Sequence, residues 1–324
     1  MKTGPPAAEP KREPSVSVIV PAYQVAAYVG ESMASIFAQT FTDYEVIVVN
    51  DGSSDTDRLE QALEPYVDRI RYFRQENRGA AEARNHALRV ATGEFVAFLD
   101  ADDVWLPNYL EEQMAFLRHH PECDLVYADA LLFGDPVYEG RTYMEFARSN
   151  GKVTFSALLH AECNVITSGV VARRRSVADV GFFDPELRRG QDYDLWLRLV
   201  RAGAHLAYQR KVLLRRRMHA ESLSGDALGQ TEREVAVIER FAERKDLTPD
   251  EQAIVQPVLA TLRANVCTER AKRLLAAGDF AAASQQLETG LRLRPGWKLR
   301  LIRLSLRIAP RSLQRFQRWR TGNL

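Results

Sequence analysis

Short runs of apolar residues alternate with longer amphipathic stretches over the first part of the chain. The runs have the length and composition of strands, and they lie at residues 16–20, 45–49, 70–73 and 95–99. In the stretches between them, apolar residues recur every three or four positions, which is the spacing of one helix face. Further strands are predicted at 125–127, 170–173 and 204–214, with helices at 107–119 and 194–201. This alternation predicts an α/β fold with a mostly parallel sheet and helices on both faces.

The pattern changes near residue 225 and becomes almost wholly helical. Gly278 and Asp279 interrupt this region and predict a helical hairpin that resembles one tetratricopeptide-type unit. Four prolines in the first fourteen residues predict a disordered tail. The predicted organisation is therefore a tail, an α/β domain, a helical extension and a basic amphipathic tail, at residues 1–14, 15–225, 226–296 and 297–324.

Composition narrows the class of protein. A chain of 324 residues with 46% apolar and 27% charged residues is globular, and it is long enough for a large domain with a smaller one. The formal charge of +1 gives no reason to expect a nucleic-acid partner. The three cysteines, Cys123, Cys163 and Cys267, form no CxxC pair, so a reducing, cytoplasmic location is expected. No apolar run is long enough to span a bilayer.

Carboxylates cluster directly behind the run at 95–99. Asp100, Asp102 and Asp103 would repel one another unless a cation joined them. In an extended turn, the oxygens of Asp100 and Asp102 can converge on one divalent ion, and Mg²⁺ or Mn²⁺ commonly bridges such carboxylates to substrate phosphates. The alternative is an acidic turn that only ends the strand, since Asp is common in turns.

Candidate binding residues also follow the first two predicted strands. Tyr23 and Asp51 would lie near the acidic cluster, because ligands bind at the carboxyl edge of open α/β sheets. Tyr23 can stack on a flat base, and Asp51 can accept a hydrogen bond from a base N–H. The alternatives are a partly buried aromatic residue and a turn or cap residue. No glycine-rich phosphate loop and no GxxxxGK[ST] motif occur, so bound phosphates would need a metal.

Three further sites carry possible chemistry. Arg84 lies in an Ala-rich helix that starts near Gly79, within reach of an anion at the helix N-terminus, or else on a solvated face. Asp194 is predicted to cap the next helix, which leaves Asp192 free to accept a proton. His219, after the last predicted strand, would be a metal ligand or a structural residue.

Five motifs in this order resemble the family 2 glycosyltransferases, which have a GT-A fold. The resemblance extends from about Ser15 to Ser224. The motifs that carry it are Val18-Ile19-Val20-Pro21-Ala22-Tyr23, Val48-Val49-Asn50-Asp51-Gly52-Ser53-Ser54-Asp55, Gly79 with Ala83-Arg84-Asn85, Phe98-Leu99-Asp100-Ala101-Asp102-Asp103 and Gln191-Asp192-Tyr193-Asp194-Leu195-Trp196.

The resemblance implies a nucleotide-sugar donor, with a UDP type favoured, and a divalent cation, Mg²⁺ or Mn²⁺. The residues that it places around the donor are Pro21, Ala22, Tyr23, Asp51, Arg84, Asp100, Ala101 and Asp102. On the cation it places Asp100 and Asp102 of a DxD motif, with Asp102 favoured as the direct ligand. His219 is a further candidate metal ligand from its position alone.

The resemblance also implies the chemistry. Asp192 would be the base that deprotonates a hydroxyl of a glycan or lipid-linked acceptor, and transfer would invert the anomeric centre. Gln191, where many members have Glu, and Trp196 would lie on the acceptor side, next to an acceptor-side insertion at 134–161. The Gln-x-x-Arg-Trp signature of processive synthases is absent, so one transfer per encounter is expected, in polysaccharide or glycolipid assembly.

The C-terminal region is strongly basic. No Asp or Glu follows Glu288, and arginines recur from Arg292 to Arg320 beside apolar and aromatic residues. A basic amphipathic segment of this kind is typical of an anionic membrane surface, here the inner face of the plasma membrane. The alternative is a helix packed on the catalytic domain with its arginines in water.

Two other functions compete with a transferase. A sugar nucleotidyltransferase would need a glycine-rich basic loop after the first strand, and that loop is missing. An inactive sugar-nucleotide-binding or scaffold protein is disfavoured because Asp100, Asp102 and Asp192 are all retained.

Overall fold

The computed structural model describes residues 13–218, 227–312 and 314–315 of the chain. Two predictions therefore lie outside the described residues: the role of His219, and the domain boundary at residue 225. Most of the predicted disordered tail at 1–14 and the last part of the basic tail also lie outside them.

The first of two compact units covers residues 13–155 and 161–218 and is built on one eight-stranded sheet. Its strands, in chain order, are β1 Val16–Ala22, β2 Tyr44–Asp51, β3 Arg71–Gln75, β4 Phe95–Phe98, β5 Val104–Trp105, β6 Leu125–Phe133, β7 Val170–Arg173 and β8 Leu206–Arg217. Their order across the sheet is β3-β2-β1-β4-β7-β6-β8-β5. The first four strands pair in parallel, which confirms the prediction. The other half is mixed: β7 is antiparallel to both neighbours, β5 is antiparallel to β8, and β6 is parallel to β8.

The strand register brings the predicted binding segments to one edge. In the pairing of β1 with β2, Ala22 lies opposite Asn50, and in that of β1 with β4, Ile19 lies opposite Phe98. The chain that follows β1, β2 and β4 therefore leaves the sheet at the same edge. This is the carboxyl edge of the parallel half, where ligands bind in open α/β sheets.

Helices cover both faces of the parallel half. The described helices, in chain order, are α1 Val29–Phe37, α2 Thr56–Leu63, α3 Ala80–Val90, α4 Tyr109–His119, α5 Phe155–Leu159, α6 Arg174–Asp179, α7 Gln191–Arg201, α8 Ala227–Ala242, α9 Pro249–Ala277, α10 Phe280–Leu293 and α11 Trp297–Ile308. Along β1, consecutive residues point to opposite faces, yet Val16 through Val20 are all inaccessible to solvent. On one face Val18 and Val20 join a core cluster with Met33 of α1.

The second unit combines residues 156–160 with the helices after residue 226. α9 begins at a capping box formed by Thr248 and Glu251 and ends at Gly278, whose φ of +87° is easily reached only by glycine. Asp279 then caps α10 by accepting a hydrogen bond from the Ala282 N–H at 2.9 Å. α9 and α10 pack together as the helical hairpin that the sequence predicts at this interruption.

α11 has apolar side chains on two faces. Leu299, Ile302 and Leu306 pack into a cluster with α9 and α10. A second set is more than half exposed, and we call it the exposed α11 face: Trp297, Leu301, Leu304 and Ile308. Within the described part of the chain, no helix combines the length and the hydropathy needed to cross a membrane.

All three cysteines are buried and carry free thiols. Cys123 and Cys163 belong to the first unit, and Cys267 lies in α9 of the second. Burial raises the pKa of each thiol, and that of Cys123 reaches about 11.

Candidate functional site

The segment after β1 presents one accessible aromatic ring at the carboxyl edge. Tyr23 is 45% exposed, so its ring is free to stack on a planar group. Pro21 is half-buried, whereas Ala22 is fully buried and its methyl group belongs to the core. Of these predicted donor-binding residues, Tyr23 therefore offers the side-chain surface, and Ala22 has only its backbone to offer.

Asp51, at the end of β2, is buried and already engaged. Its Oδ1 accepts hydrogen bonds from Gln75 Nε2 at 2.8 Å and from the Arg78 N–H at 2.9 Å. Its Oδ2 accepts one from the Gly79 N–H at 2.8 Å. Asp51 thus fixes the loop that leads into α3, and its contact with a donor base stays a prediction.

Arg84 offers buried hydrogen-bond donors that suit an anion. It lies in α3 with only 5% of its surface exposed, and its Nη2 donates to Asp100 Oδ1 at 2.5 Å. Its Nε and Nη1 find no hydrogen-bond partner among the described residues. Leaving donors of a buried charged group unpaired is costly, so an anion that accepts from Arg84 would be strongly favoured there.

Hydrogen bonds from α1 and from the end of β8 fix the loop at 100–103. The Ser32 hydroxyl of α1 lies 2.8 Å from the carbonyl oxygen of Ala101 and 2.6 Å from that of Asp103. The Asp103 side chain is buried and accepts from the Arg217 N–H at 2.9 Å. Asp100 and Asp102, by contrast, are partly exposed.

The electrostatics of this loop favour a cation. Burial, with the nearby charge of Asp102 and a smaller effect of Asp100, raises the pKa of Asp103 to about 8, although Arg216 acts in the opposite direction. The negative charges of Asp102 and Asp100 therefore oppose ionisation of Asp103. A divalent ion bound to those carboxylates would offset this repulsion.

The available ligands suit a hard divalent cation that is shared with a substrate. Among the residues that the structure describes, no three His, Cys, Asp or Glu side chains converge into a complete metal site. Mg²⁺ and ions like it are often held by one or two carboxylates, with substrate phosphates supplying further oxygens. The partly exposed carboxylates of Asp100 and Asp102 fit such a site.

The start of α7 differs from the prediction. The helix begins at Gln191, preceded by Gly190 in a left-handed conformation with a φ of +75°, so the prediction that Asp194 caps it was wrong. Asp194 instead lies inside the first turn, where it is buried and forms an ion pair with Arg198 at 2.7 Å. The glycine lets the chain turn into the helix earlier, and Arg198 also binds the carbonyl oxygens of Val180 and Phe182.

A turn that the sequence analysis missed joins Asp192 to the acidic loop. The Thr167 hydroxyl donates to Asp192 Oδ2 at 2.8 Å. The Asp100 N–H donates to the Ser168 hydroxyl at 3.2 Å, and the same hydroxyl acts to lower the pKa of Asp103. Because Thr167 and Ser168 are adjacent, one short turn contacts both Asp192 and the acidic loop. Two small polar residues before a strand gave no distinctive signal.

The predicted acceptor-side residues of α7 are largely buried. Trp196 is 2% exposed and packs edge-on against Phe183 with ring centroids 6.5 Å apart, so it is a core residue and its ring offers no surface to an acceptor. The cause is its position on the inner face of α7. Gln191 is also buried, and its Oε1 has no hydrogen-bond partner within the described residues.

Comparison with known sequences identifies a family. Residues 17–181 match the family described as Glycosyl transferase family 2. An uncharacterized glycosyltransferase of Rickettsia typhi is 30% identical over 75% of this chain and 76% of its own length. The UDP-Glc:alpha-D-GlcNAc-diphosphoundecaprenol beta-1,3-glucosyltransferase WfgD of Escherichia coli is 32% identical over 57% of this chain and 70% of its own.

Comparison with solved structures gives the same fold. The S. aureus protein TarS (residues 1–349), in complex with UDP, aligns over 95% of this chain and 92% of its own at 21% identity, with a TM-score of 0.62. The mannosyltransferase PcManGT of Pyrobaculum calidifontis was solved in complex with GDP-Man and Mn²⁺. It aligns over 98% of this chain and 89% of its own at 19% identity, with a TM-score of 0.62. These neighbours show that the fold is GT-A.

Proposed function

Because this chain belongs to glycosyl transferase family 2, we propose that it is an inverting glycosyltransferase that uses a nucleotide-diphosphate sugar. The sugar would pass to a hydroxyl of a glycan or lipid-linked acceptor in the assembly of a cell-surface polysaccharide. One observation carries the proposal. A buried arginine with two unpaired nitrogens lies against Asp100 of the DxD motif, and a short turn ties that loop to a separate carboxylate, Asp192.

The donor we propose is of the UDP type. WfgD is named for a UDP-glucose donor, and TarS was crystallised with UDP. PcManGT was crystallised with GDP-mannose, so a guanine nucleotide is the alternative for the same fold. The exposed ring of Tyr23 would stack on the base, Asp51 and Pro21 would lie beside the base and ribose, and Arg84 would donate to the diphosphate.

The site supports a single displacement. Mg²⁺ or Mn²⁺ held by Asp100 and Asp102 would offset the negative charge that develops on the departing diphosphate. Arg84 would stabilise the same charge through its two unpaired nitrogens. Asp192 would accept the proton of the acceptor hydroxyl as its oxygen attacks the face of the donor sugar opposite the leaving group. One displacement with no covalent intermediate inverts the anomeric centre.

Replacing the proposed base tests the function. Asp192→Asn keeps the shape of the side chain but cannot take a proton, so we expect transfer to fall by about 100-fold or more, as for loss of a general base. Binding of UDP in the presence of MnCl₂ should stay within about twofold, because Asp192 does not contact the diphosphate in this proposal. Turnover would be followed as nucleoside diphosphate released from a panel of UDP- and GDP-sugars, and turnover of the variant close to that of the wild type would refute the base assignment.

For the helical unit we propose an anionic membrane surface as the partner. The exposed α11 face repeats at intervals of four, three and four residues, the spacing of a coiled-coil seam. A second copy would bring no carboxylate to the exposed Arg300 and Arg307 that flank this face, because α11 contains no acidic residue. Anionic lipid offers both an apolar interior and negative charge. Such docking would hold the enzyme peripherally at the inner face of the plasma membrane, beside a lipid-linked acceptor.

A further inference from the structure

The turn at Thr167–Gly169 makes contacts in two directions from neighbouring residues. The Thr167 hydroxyl donates to the carboxylate of Asp192 at the start of α7. The Ser168 hydroxyl accepts from the Asp100 N–H at 3.2 Å, so it holds the acidic loop where it leaves β4. Both hydroxyls lie on side chains that are more than nine-tenths buried.

The turn itself is fixed to the core. The Trp105 Nε1–H donates to the Ser168 carbonyl oxygen at 2.8 Å, and Gln113 Nε2 donates to the Gly169 carbonyl oxygen at the same distance. A Cβ atom on Gly169 would lie 3.0 Å from the carbonyl oxygen of Ala128 in β6, so the backbone there approaches the sheet too closely for a larger residue. The turn therefore has little room to move relative to the sheet.

We infer that Thr167 and Ser168 are positioning residues that set the place of the proposed base relative to the diphosphate-binding loop. Thr167 acts on Asp192, and Ser168 acts on the loop at 100–103. A deprotonated carboxylate only accepts hydrogen bonds, so a donating hydroxyl fixes its orientation while its other lone pairs remain for the acceptor hydroxyl. The inference rests on the proposed function, since it assigns a purpose to the geometry of that site.

The two hydroxyls should have separable effects. Thr167→Val removes the hydroxyl with little change in shape, so we expect kcat to fall about 10- to 100-fold, as expected when a reacting group is misplaced by a fraction of an ångström to an ångström. The KM for the donor should stay within about twofold, and Thr167→Ser, which restores a hydroxyl, should recover most of kcat. Ser168→Ala should act on the other side, raising the KM for the donor and weakening UDP binding in MnCl₂ with a smaller effect on kcat.

The measurements use the full chain and the donor of the panel from which the wild-type protein releases nucleoside diphosphate fastest. Calorimetric titration of UDP with MnCl₂ gives a readout that does not depend on turnover, and thermal unfolding checks that each variant folds. A normal kcat for Thr167→Val, or a Thr167→Ser variant no better than Thr167→Val, would overturn the inference. So would a Ser168→Ala variant with unchanged donor KM and unchanged UDP binding.

The outcome for Asp192→Asn separates the two proposals. If Asp192→Asn is inactive while Thr167→Val is normal, the positioning role fails and the proposed function stands. If Asp192→Asn is active, or if the wild-type protein releases nucleoside diphosphate from no donor in the panel, the proposed function fails and the positioning role fails with it.

Discussion

Arg84 shows how one buried side chain can indicate a ligand. A solvated arginine satisfies its five N–H donors with water, but Arg84 is buried with Asp100 on one nitrogen and the Phe183 ring 5.5 Å away. Two of its nitrogens, Nε and Nη1, are buried and have no hydrogen-bond partner among the described residues. A diphosphate carries several negatively charged oxygens that can accept hydrogen bonds from guanidinium N–H groups.

Arg84→Lys tests this assignment. Lysine keeps the charge but loses the forked geometry, so we expect the Kd for UDP in MnCl₂ to rise about 10-fold or more, in line with about 1.5–3 kcal/mol for a charged hydrogen bond. Arg78→Lys is the matched control, since the structure gives the exposed Arg78 only a backbone role in binding Asp51. Equal binding by the wild type and the Arg84→Lys variant would remove Arg84 from the donor site.

Residue types and spacing singled out Arg84 and Asp100, which the structure places in contact, but they did not give the environment of every residue. The structure also links Asp100 to Asp192 through the turn at Thr167–Gly169, which the sequence did not indicate. The roles of Asp194 and Trp196 did not follow from type alone. Which residue caps a helix depends on where the preceding glycine turns the chain, and which face of α7 is buried depends on packing from distant segments.

Among the secondary-structure elements, Glu45 of β2 ties the amino edge of three parallel strands together. Its Oε1 accepts from Ser17 of β1 at 2.7 Å and from the N–H and hydroxyl of Thr92, and its Oε2 accepts from Arg71 of β3 at 2.6 Å. Burial alone would raise the pKa of Glu45, but the hydrogen bonds from Thr92, Arg71 and Ser17 outweigh it and hold the pKa below its usual value.

This pKa shift predicts a pH-dependent contribution to stability. A carboxyl group whose pKa is lowered by folding stabilises the protein fully above its unfolded pKa, and the stabilisation is lost as the pH falls through the folded pKa. We expect Glu45→Gln to lower the free energy of unfolding by about 1–3 kcal/mol at neutral pH, with the difference shrinking in acid. Urea unfolding at several pH values would measure this difference.

Glu94→Gln, at a surface ion pair with Arg173, is the control and should change the free energy of unfolding by at most about 0.5 kcal/mol. A difference for Glu45→Gln that persists below pH 3 would contradict the linkage.

The strands and helices of the parallel half could be predicted because each lies in a clear apolar run or an amphipathic stretch. The other half was less readable for identifiable reasons. β5 is only Val104–Trp105, which is too short to show a period. β6 continues to Phe133, although Asp129 interrupts its apolar run at an irregular pairing with β8. Pairings set by such irregularities depend on the partner strand and leave no local pattern.

For the molecule as a whole, charge is unevenly distributed although the net value is close to zero. All charged side chains beyond Glu288 are basic. In α11, arginines lie beside the exposed α11 face. The sequence left open whether this region binds a membrane or packs against protein. In the structure the inner face of α11 packs on α9 and α10 and the exposed α11 face is open to solvent, so membrane binding stays a prediction for that exposed face.

Vesicle flotation tests the membrane proposal. We expect the wild-type protein to float with vesicles that contain phosphatidylglycerol and to bind pure phosphatidylcholine much less, with binding weakened by salt because screening shortens the electrostatic range. Leu301→Ser with Ile308→Ser should reduce flotation several-fold. Val137→Ser, at an equally exposed apolar residue of the first unit, should leave it unchanged. Equal flotation of the double variant and the wild type would reject the exposed α11 face as the docking surface.

The three buried thiols can report on the order in which the two units unfold. A cysteine reacts with alkylating reagents as the thiolate, so a buried thiol with a raised pKa is protected until its surroundings open. Cys123 would record opening of the sheet unit, and Cys267 would record opening of the helical unit. Timed alkylation in mild denaturant, followed by peptide mass analysis, would thus show which unit yields first, without any engineered label.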